Sequence, residues 1–168
     1  MDVTRQVTTN TEIPDPDTLW APVNQLSQSP AFPGATFTDV VRANADTLYS
    51  TLWFDATQEP VVIHVPDSSG RYHLLPMVDI WTDVFASPGK RTTGRAEQTV
   101  AIVGPSWQGE IPHDVEMIRS PTAVGWMIGC TQTDGKADYA NVNEFQAWPD
   151  RGSPFGLGQG LHACQRQI

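Results

Sequence analysis

Cysteine is nearly missing from this chain: only Cys130 and Cys164 occur in 168 residues. Two residues so far apart form no CxxC knuckle and no disulfide scaffold, so both read as free thiols. No run approaches the 18 apolar residues a membrane helix needs, and MDVTRQVTTNTEIPDPD lacks the basic start and apolar stretch of a signal peptide. As written, the chain is expected to be cytoplasmic, with exported homologues left open. Positive charge is scarce too: 10 Lys and Arg stand against 19 Asp and Glu, a net charge of -9 that repels nucleic acid and anionic membrane alike. GxSxG, GxxxxGK[ST], HxH and HExxH are all absent. No motif therefore names a nucleophile, a nucleotide or a cofactor.

What is present is a soluble acidic chain of one-domain length with 14 Pro, 13 Gly and 6 Trp. Turn residues at that density cut it into short elements. Residues 1–18 read as an extended arm. Leu19, Trp20, Val23 and Leu26 recur at helical spacing, so a short helix over 19–28 is expected, stopped by Pro30 and Pro33. From 47 to 133 the pattern turns to period two: TLYSTLWFD, PVVIHVPD, RYHLLPMVDIW, TVAIVGPSW, VEMIRSP and VGWMIGCTQ are strands bounded by turn chemistry. A closing helix over 137–147 places Tyr139, Val142, Phe145 and Gln146 along one side. The expected fold is mainly β (α+β), an antiparallel jelly-roll-like sandwich or barrel with one or two short helices. Its single domain spans 19–148 and a Gly-rich tail 149–168.

Three groups of residues carry candidate chemistry. The turn AspSerSerGly at 67–70 would close a hairpin that pairs His64 with His73 across strands. With Cβ atoms roughly 4.5–5.5 Å apart, the two imidazoles would share a transition metal with Asp79 or Asp83. The plainer alternative is two histidines hydrogen-bonded on a half-wet strand face. Next, Arg42, Asp46, Asp79 and Asp83 lie in or beside apolar sequence, where unpaired charge is costly. They form either a structural ion pair or the floor of a cleft in which Arg42 holds an anion and an Asp or Tyr moves a proton. Asn44, Tyr49 and Thr82 belong to the same candidate cluster. Finally, Lys90 and Arg91 in SerProGlyLysArgThrThrGly, 87–94, offer an anion cradle or simply a polar turn. The six Trp read as core anchors before they read as a stacking box.

The phrases VVRANADTLYSTLWFD, AIVGPSW, PGKRTTG and RSPTAVGWMIGCTQTDG make the chain resemble the bacterial family called domain of unknown function 1254, over about residues 30–146. The resemblance implies a β-rich, jelly-roll-like domain, commonly followed by a second domain numbered 1214 and often exported; it implies no activity. The family's usual Val-Arg-Pro-Asn-Asn-Asp-Thr stands here as Val41 to Thr47, with Ala43 and Ala45 replacing Pro and Asn. Cys130 occupies a place where the family usually has Arg, and His73 one where it often has an aromatic residue. The second domain does not follow, so a solitary or truncated version able to self-associate through the face that domain would cover is expected. The reading drawn from all this is a ligand-binding or structural module open to a small-molecule ligand, with no nucleic-acid or membrane partner; the alternatives are a small-molecule enzyme built on the polar cluster and a metal site at His64 and His73.

Overall fold

Two nine-residue strands rich in apolar residues, Thr47–Asp55 and Val124–Gln132, form the centre of the larger sheet in a computed structural model that describes residues 1–34, 37 and 44–147. In chain order the elements are α1 (Asp2–Thr8), β1 (Leu26–Gln28), β2 (Thr47–Asp55), β3 (Val61–Val65), β4 (His73–Leu74), β5 (Met77–Asp79), β6 (Val84–Ala86), β7 (Gln98–Val103), β8 (Val115–Arg119), β9 (Val124–Gln132), a 3-10 turn (Lys136–Asp138) and α2 (Tyr139–Gln146). The larger sheet runs β1-β2-β9-β5-β6, with β4 also paired to β9; the smaller runs β3-β7-β8. These nine strands, with two short helices, make an open, mostly β sandwich among the described residues.

The sheets face each other through one apolar layer. Leu52 and Phe54 of β2, Met127 of β9, and Leu75 and Met77 pack against Val61, Ile63 and Val65 of β3 and Val100 and Ile102 of β7. All are 5% exposed or less, so alternation has put every second residue of both sheets into a shared core. Gly125 on β9 is required by this packing: a Cβ there would collide with the Phe54 ring and the Val78 carbonyl. On the far side of the small sheet, Ile111 and Val115 cover Val62 and Ala101.

Strand positions and the closing helix agree with the sequence pattern, whereas several partners and the N-terminal part of the expected order differ. β3 does not fold back on β4. It pairs with β7 and β4 pairs with β9, so the 66–72 loop carries the chain from one sheet to the other. That crossing is fixed by contacts distant in sequence: the Ser68 N–H donates to the Arg95 carbonyl at 2.9 Å, and Arg71 reaches Gln132 and Asp138. β7 and β8 run parallel, because the 104–114 connection crosses back instead of reversing. Arg119 pins that crossover by donating to the carbonyls of Gly104, Pro105 and Trp107 at 3.1–3.2 Å.

Helix also appears where none was expected and is missing where it was. Residues 2–8 are helical, with Arg5 and Gln6 both donating to the Asp2 carboxylate one turn back. The expected helix at 19–28 is a bridge, Asp15 to Trp20, a turn, and the edge strand β1. Pro22 explains the loss: it removes a donor and pushes Ala21 away from helical angles, while Leu19 and Asn24 both take a φ of +62°. Asn24 then locks onto the end of β2 through its own N–H to the Trp53 carbonyl and through paired bonds with the Asp55 backbone. No helix of the described residues is long and apolar enough to cross a membrane.

Candidate functional site

The register of the larger sheet separates the residues singled out in the sequence. Tyr49 lies opposite Cys130 and Asp79 opposite Gly125. The two positions are five residue steps apart along β9, roughly 16 Å, and face opposite sides of the sheet. Asn44, Asp46 and Tyr49 therefore belong to one end and Asp79, Thr82 and Asp83 to the other. Arg42 lies outside the described residues.

At the first end, Asn44 closes its own loop. Its Oδ1 accepts from Asp46 N at 3.0 Å, Thr47 N at 2.8 Å and Thr47 Oγ1 at 3.0 Å. Its Nδ2 and backbone N–H both donate to the Tyr49 hydroxyl, at 2.7 and 3.2 Å. The conspicuous NxDTLYS phrase is thus an Asx turn joined to a held phenol. Asp46 itself is exposed. At the second end, Asp79 is buried and its Oδ1 accepts from Trp81 N at 2.8 Å and Asp83 N at 3.1 Å. It serves as the cap of the β5–β6 turn, in which Thr82 has a φ of +75°. The 87–94 segment is a self-closed turn. The Gly89 carbonyl gathers the N–H groups of Thr92, Thr93 and Gly94, Lys90 Nζ donates to the Gly70 carbonyl, and Arg91 stacks over Tyr72. Gly89 is needed because a Cβ would lie 2.5 Å from the His73 carbonyl.

The two histidines are held apart from one another by the sheet order. His64, half-buried on β3, has Nδ1 3.2 Å from Thr99 Oγ1 and Nε2 3.8 Å from a Glu97 carboxylate oxygen. His73 on β4 is wholly buried, its ring 5.5 Å from that of Phe145 on α2. The cross-strand pair on which a shared metal depended is not formed. Among the described residues no group of three or more His, Cys, Asp and Glu is gathered in metal-binding geometry. Burial pushes the His73 pKa below its ordinary value, with the Arg71 backbone opposing. It pushes the Cys130 thiol up, with Thr47 opposing. Arg71 and Asp138 form a two-pronged pair at 2.5 and 2.9 Å that ties the 66–72 loop to α2. Arg71, then Asn141 and the Asp134 N–H, hold the Asp138 carboxyl well below the usual carboxylate range.

One cavity stands out for chemical uniformity. On the outer face of the larger sheet, the alternate residues Tyr49, Thr51 and Trp53 of β2 meet Trp126 and Ile128 of β9. Thr4 and Thr8 of α1, with Thr18, Leu19, Trp20 and Phe37, form the opposite wall of a cleft of about 340 Å³. No acid or base is among these side chains. Trp53 and Trp126 are stacked with ring centres 4.9 Å apart and planes 3° from parallel. The covering layer is thin: α1 buries no residue, and its valines Val3 and Val7 point outward, 74% and 49% exposed. The segment is stitched down by Ala21 N to the Thr8 carbonyl at 3.1 Å, Thr51 Oγ1 to the Leu19 carbonyl at 2.9 Å and Ser27 Oγ to the Asp15 carbonyl at 2.9 Å.

Of the cleft residues, sequence reading singled out Tyr49 for chemistry, took Trp20, Trp53 and Trp126 as core anchors before a stacking box, and gave Thr51 and Ile128 no role. The available signal was that TLYSTLWFD and VGWMIGCTQ are apolar on both alternating sets, so each strand must be covered twice.

The fold defines a class: open two-sheet, mostly β domains with short helices. Within that class the chain belongs to the family described as "Protein of unknown function (DUF1254)", whose model matches residues 23–148. A solved relative is the VPA0106 protein from Vibrio parahaemolyticus, a structural-genomics target, 27% identical with a TM-score of 0.60 over 77% of this chain. This chain spans 29% of that protein's length. No curated protein sequence matches it. The matched stretch contains the sheet wall of the cleft, Tyr49, Trp53 and Trp126, whereas α1 and Trp20 precede it.

Proposed function

We propose that this domain binds a small, uncharged, largely apolar molecule in the cleft between α1 and the outer face of the β2–β9 pair. The observation that carries the reading is a space of about 340 Å³, enough for an aromatic ring with substituents, walled by Trp20, Trp53, Trp126, Phe37 and Ile128 and by hydroxyls, with no charged side chain among the described lining residues. Charged ligands would lose hydration there without gaining a partner. An apolar ligand gains roughly 25 cal/mol for each Å² it removes from water. A core element would close such a space with leucine or valine; α1 instead presents Thr4 and Thr8 and leaves its valines in solvent. An enzyme built on Asn44, Tyr49, Asp79 and Asp83 would need those groups around one cavity, and they occupy opposite ends of β9.

Isopropylbenzene is a suitable probe, followed by NMR of the indole Nε1–H signals. The expected result is saturable movement of the Trp20, Trp53 and Trp126 signals, and its loss in Thr8→Phe, which fills the cleft from a surface helix. Equal melting temperatures of the two proteins establish that Thr8→Phe is folded. If the probe moves none of these signals in the parent, or binds Thr8→Phe equally well, the cleft is not the site.

A further inference from the structure

Tyr49 lines the cleft with a hydroxyl that Asn44 already holds. Both of its lone pairs are occupied: Asn44 Nδ2 donates to it at 2.7 Å and Asn44 N at 3.2 Å. A phenol carries one proton and two acceptor positions. With the acceptor positions filled, that proton is left as a donor, and among the described residues no acceptor is found for it. Two of the other cleft hydroxyls, those of Thr8 and Thr51, have the opposite character. Thr8 Oγ1 gives its proton to the Thr4 carbonyl at 2.8 Å and Thr51 Oγ1 gives its own to the Leu19 carbonyl at 2.9 Å. Both protons are spent on backbone, so these groups present lone pairs to the cavity. Among its described hydroxyls the cleft thus has a donor fixed in direction, Tyr49, at the Asn44 end.

We infer that the ligand of this cleft is an uncharged compound with an apolar body and a carbonyl oxygen, that Tyr49 donates to that oxygen, and that Asn44 is the positioning residue that keeps the phenol proton turned toward it. The inference rests on the cleft being the binding site. A ketone, aldehyde or ester fits better than a carboxylate because no cation lines the cavity among the described residues. The arrangement also gives the NxDTLYS phrase a purpose beyond its turn. Asn44 Oδ1 builds the loop through Asp46 and Thr47, and the same side chain's Nδ2 orients the donor.

The test compares two probes of nearly equal shape, acetophenone and isopropylbenzene, each titrated by NMR into the parent, Tyr49→Phe and Asn44→Asp. Tyr49→Phe removes only the hydroxyl. Asn44→Asp keeps the oxygen that accepts from Asp46 and Thr47 but replaces the amide donor with a carboxylate oxygen, which takes the phenol proton for itself. In both variants acetophenone is expected to weaken about three- to tenfold, the worth of one neutral hydrogen bond. Isopropylbenzene is expected to bind all three proteins within about twofold. Equal weakening of both probes, or no weakening of acetophenone in Tyr49→Phe, overturns the role of Tyr49 while leaving the cleft as the site. Failure of both probes to bind the parent removes the cleft reading and this inference with it.

Discussion

His73 shows how much one residue can commit a small domain to a pH range. It is 0% exposed, neither ring nitrogen makes a hydrogen bond of good geometry, and burial lowers its pKa from the ordinary 6.5. Above pH 6.5 the ring is neutral in both the folded and unfolded chain, and the fold incurs no penalty. Below it the unfolded chain takes up a proton that the folded chain excludes, so stability falls as pH drops, by up to about 1.4 kcal/mol per pH unit until the folded value is passed. Urea unfolding at pH 7.5 and 5.5 measures this directly. His73→Phe and His73→Leu are expected to lose less stability between those two pH values than the parent, and an unchanged loss would show that the acid sensitivity lies elsewhere. Asp138 acts in a lower window. Held below the ordinary carboxylate range by Arg71, it contributes stability that is present above about pH 4 and lost under more acidic conditions, so the two effects separate on the pH axis.

Among the elements, α1 and β9 stand at opposite ends of a stability scale. β9 has neighbours on both edges and core on one face, whereas α1 is seven residues long, buries none of them, and is shorter than a helix that persists alone in water. Amide exchange is therefore expected to be fast throughout Val3–Thr8 and slow through β2 and β9, with acetophenone slowing α1 selectively if the helix is the cover of an occupied cleft. Exchange in α1 as slow as in β9 would make it a core element and the cleft a packing defect. The same contrast explains what the sequence made legible. β2 and β9 were readable to the residue because TLYSTLWFD and VGWMIGCTQ are each a near-continuous run of apolar and β-prone residues bounded by turn chemistry. Partners were not, because β3 could fold back on β4 or pair with β7 without altering a letter of either, and the choice is made by Arg71, Ser68 and Arg95 across the fold. The polar turns at Asn44, Asp79 and Gly89 were visible as unusual phrases, yet each proved to satisfy its own backbone first. The aromatic cleft was hidden because its second wall comes from residues 4–20 and Phe37, whose covering of β2 is encoded in no local pattern.

At the scale of the whole molecule, the central question is whether two sheets sharing one apolar layer can come apart separately. Val61, Ile63, Val65, Val100 and Ile102 of the smaller sheet are buried against Leu52, Phe54, Leu75, Met77 and Met127 of the larger, and the smaller sheet has three strands. Detached, it would expose its inner face to water, and three short strands do not withstand that loss. The larger sheet would at the same time uncover Phe54 and Met77, both 0% exposed in the fold. The Arg71–Asp138 clamp and the 66–72 crossing link the sheets a second time, through chain connectivity and through α2. Opening either sheet thus costs most of what unfolding both costs, which is the condition for an all-or-none transition. The expected outcome is that far-UV circular dichroism, which reads the strands, and near-UV circular dichroism, which reads Trp53, Trp126 and their neighbours, superimpose along one urea curve. The curve should also coincide with loss of isopropylbenzene binding. A near-UV transition that precedes the far-UV one would mean that the outer Trp layer loosens while the sandwich persists. A split far-UV transition would mean that the three-stranded sheet has a stability of its own, and the shared core would then not be what holds this domain together.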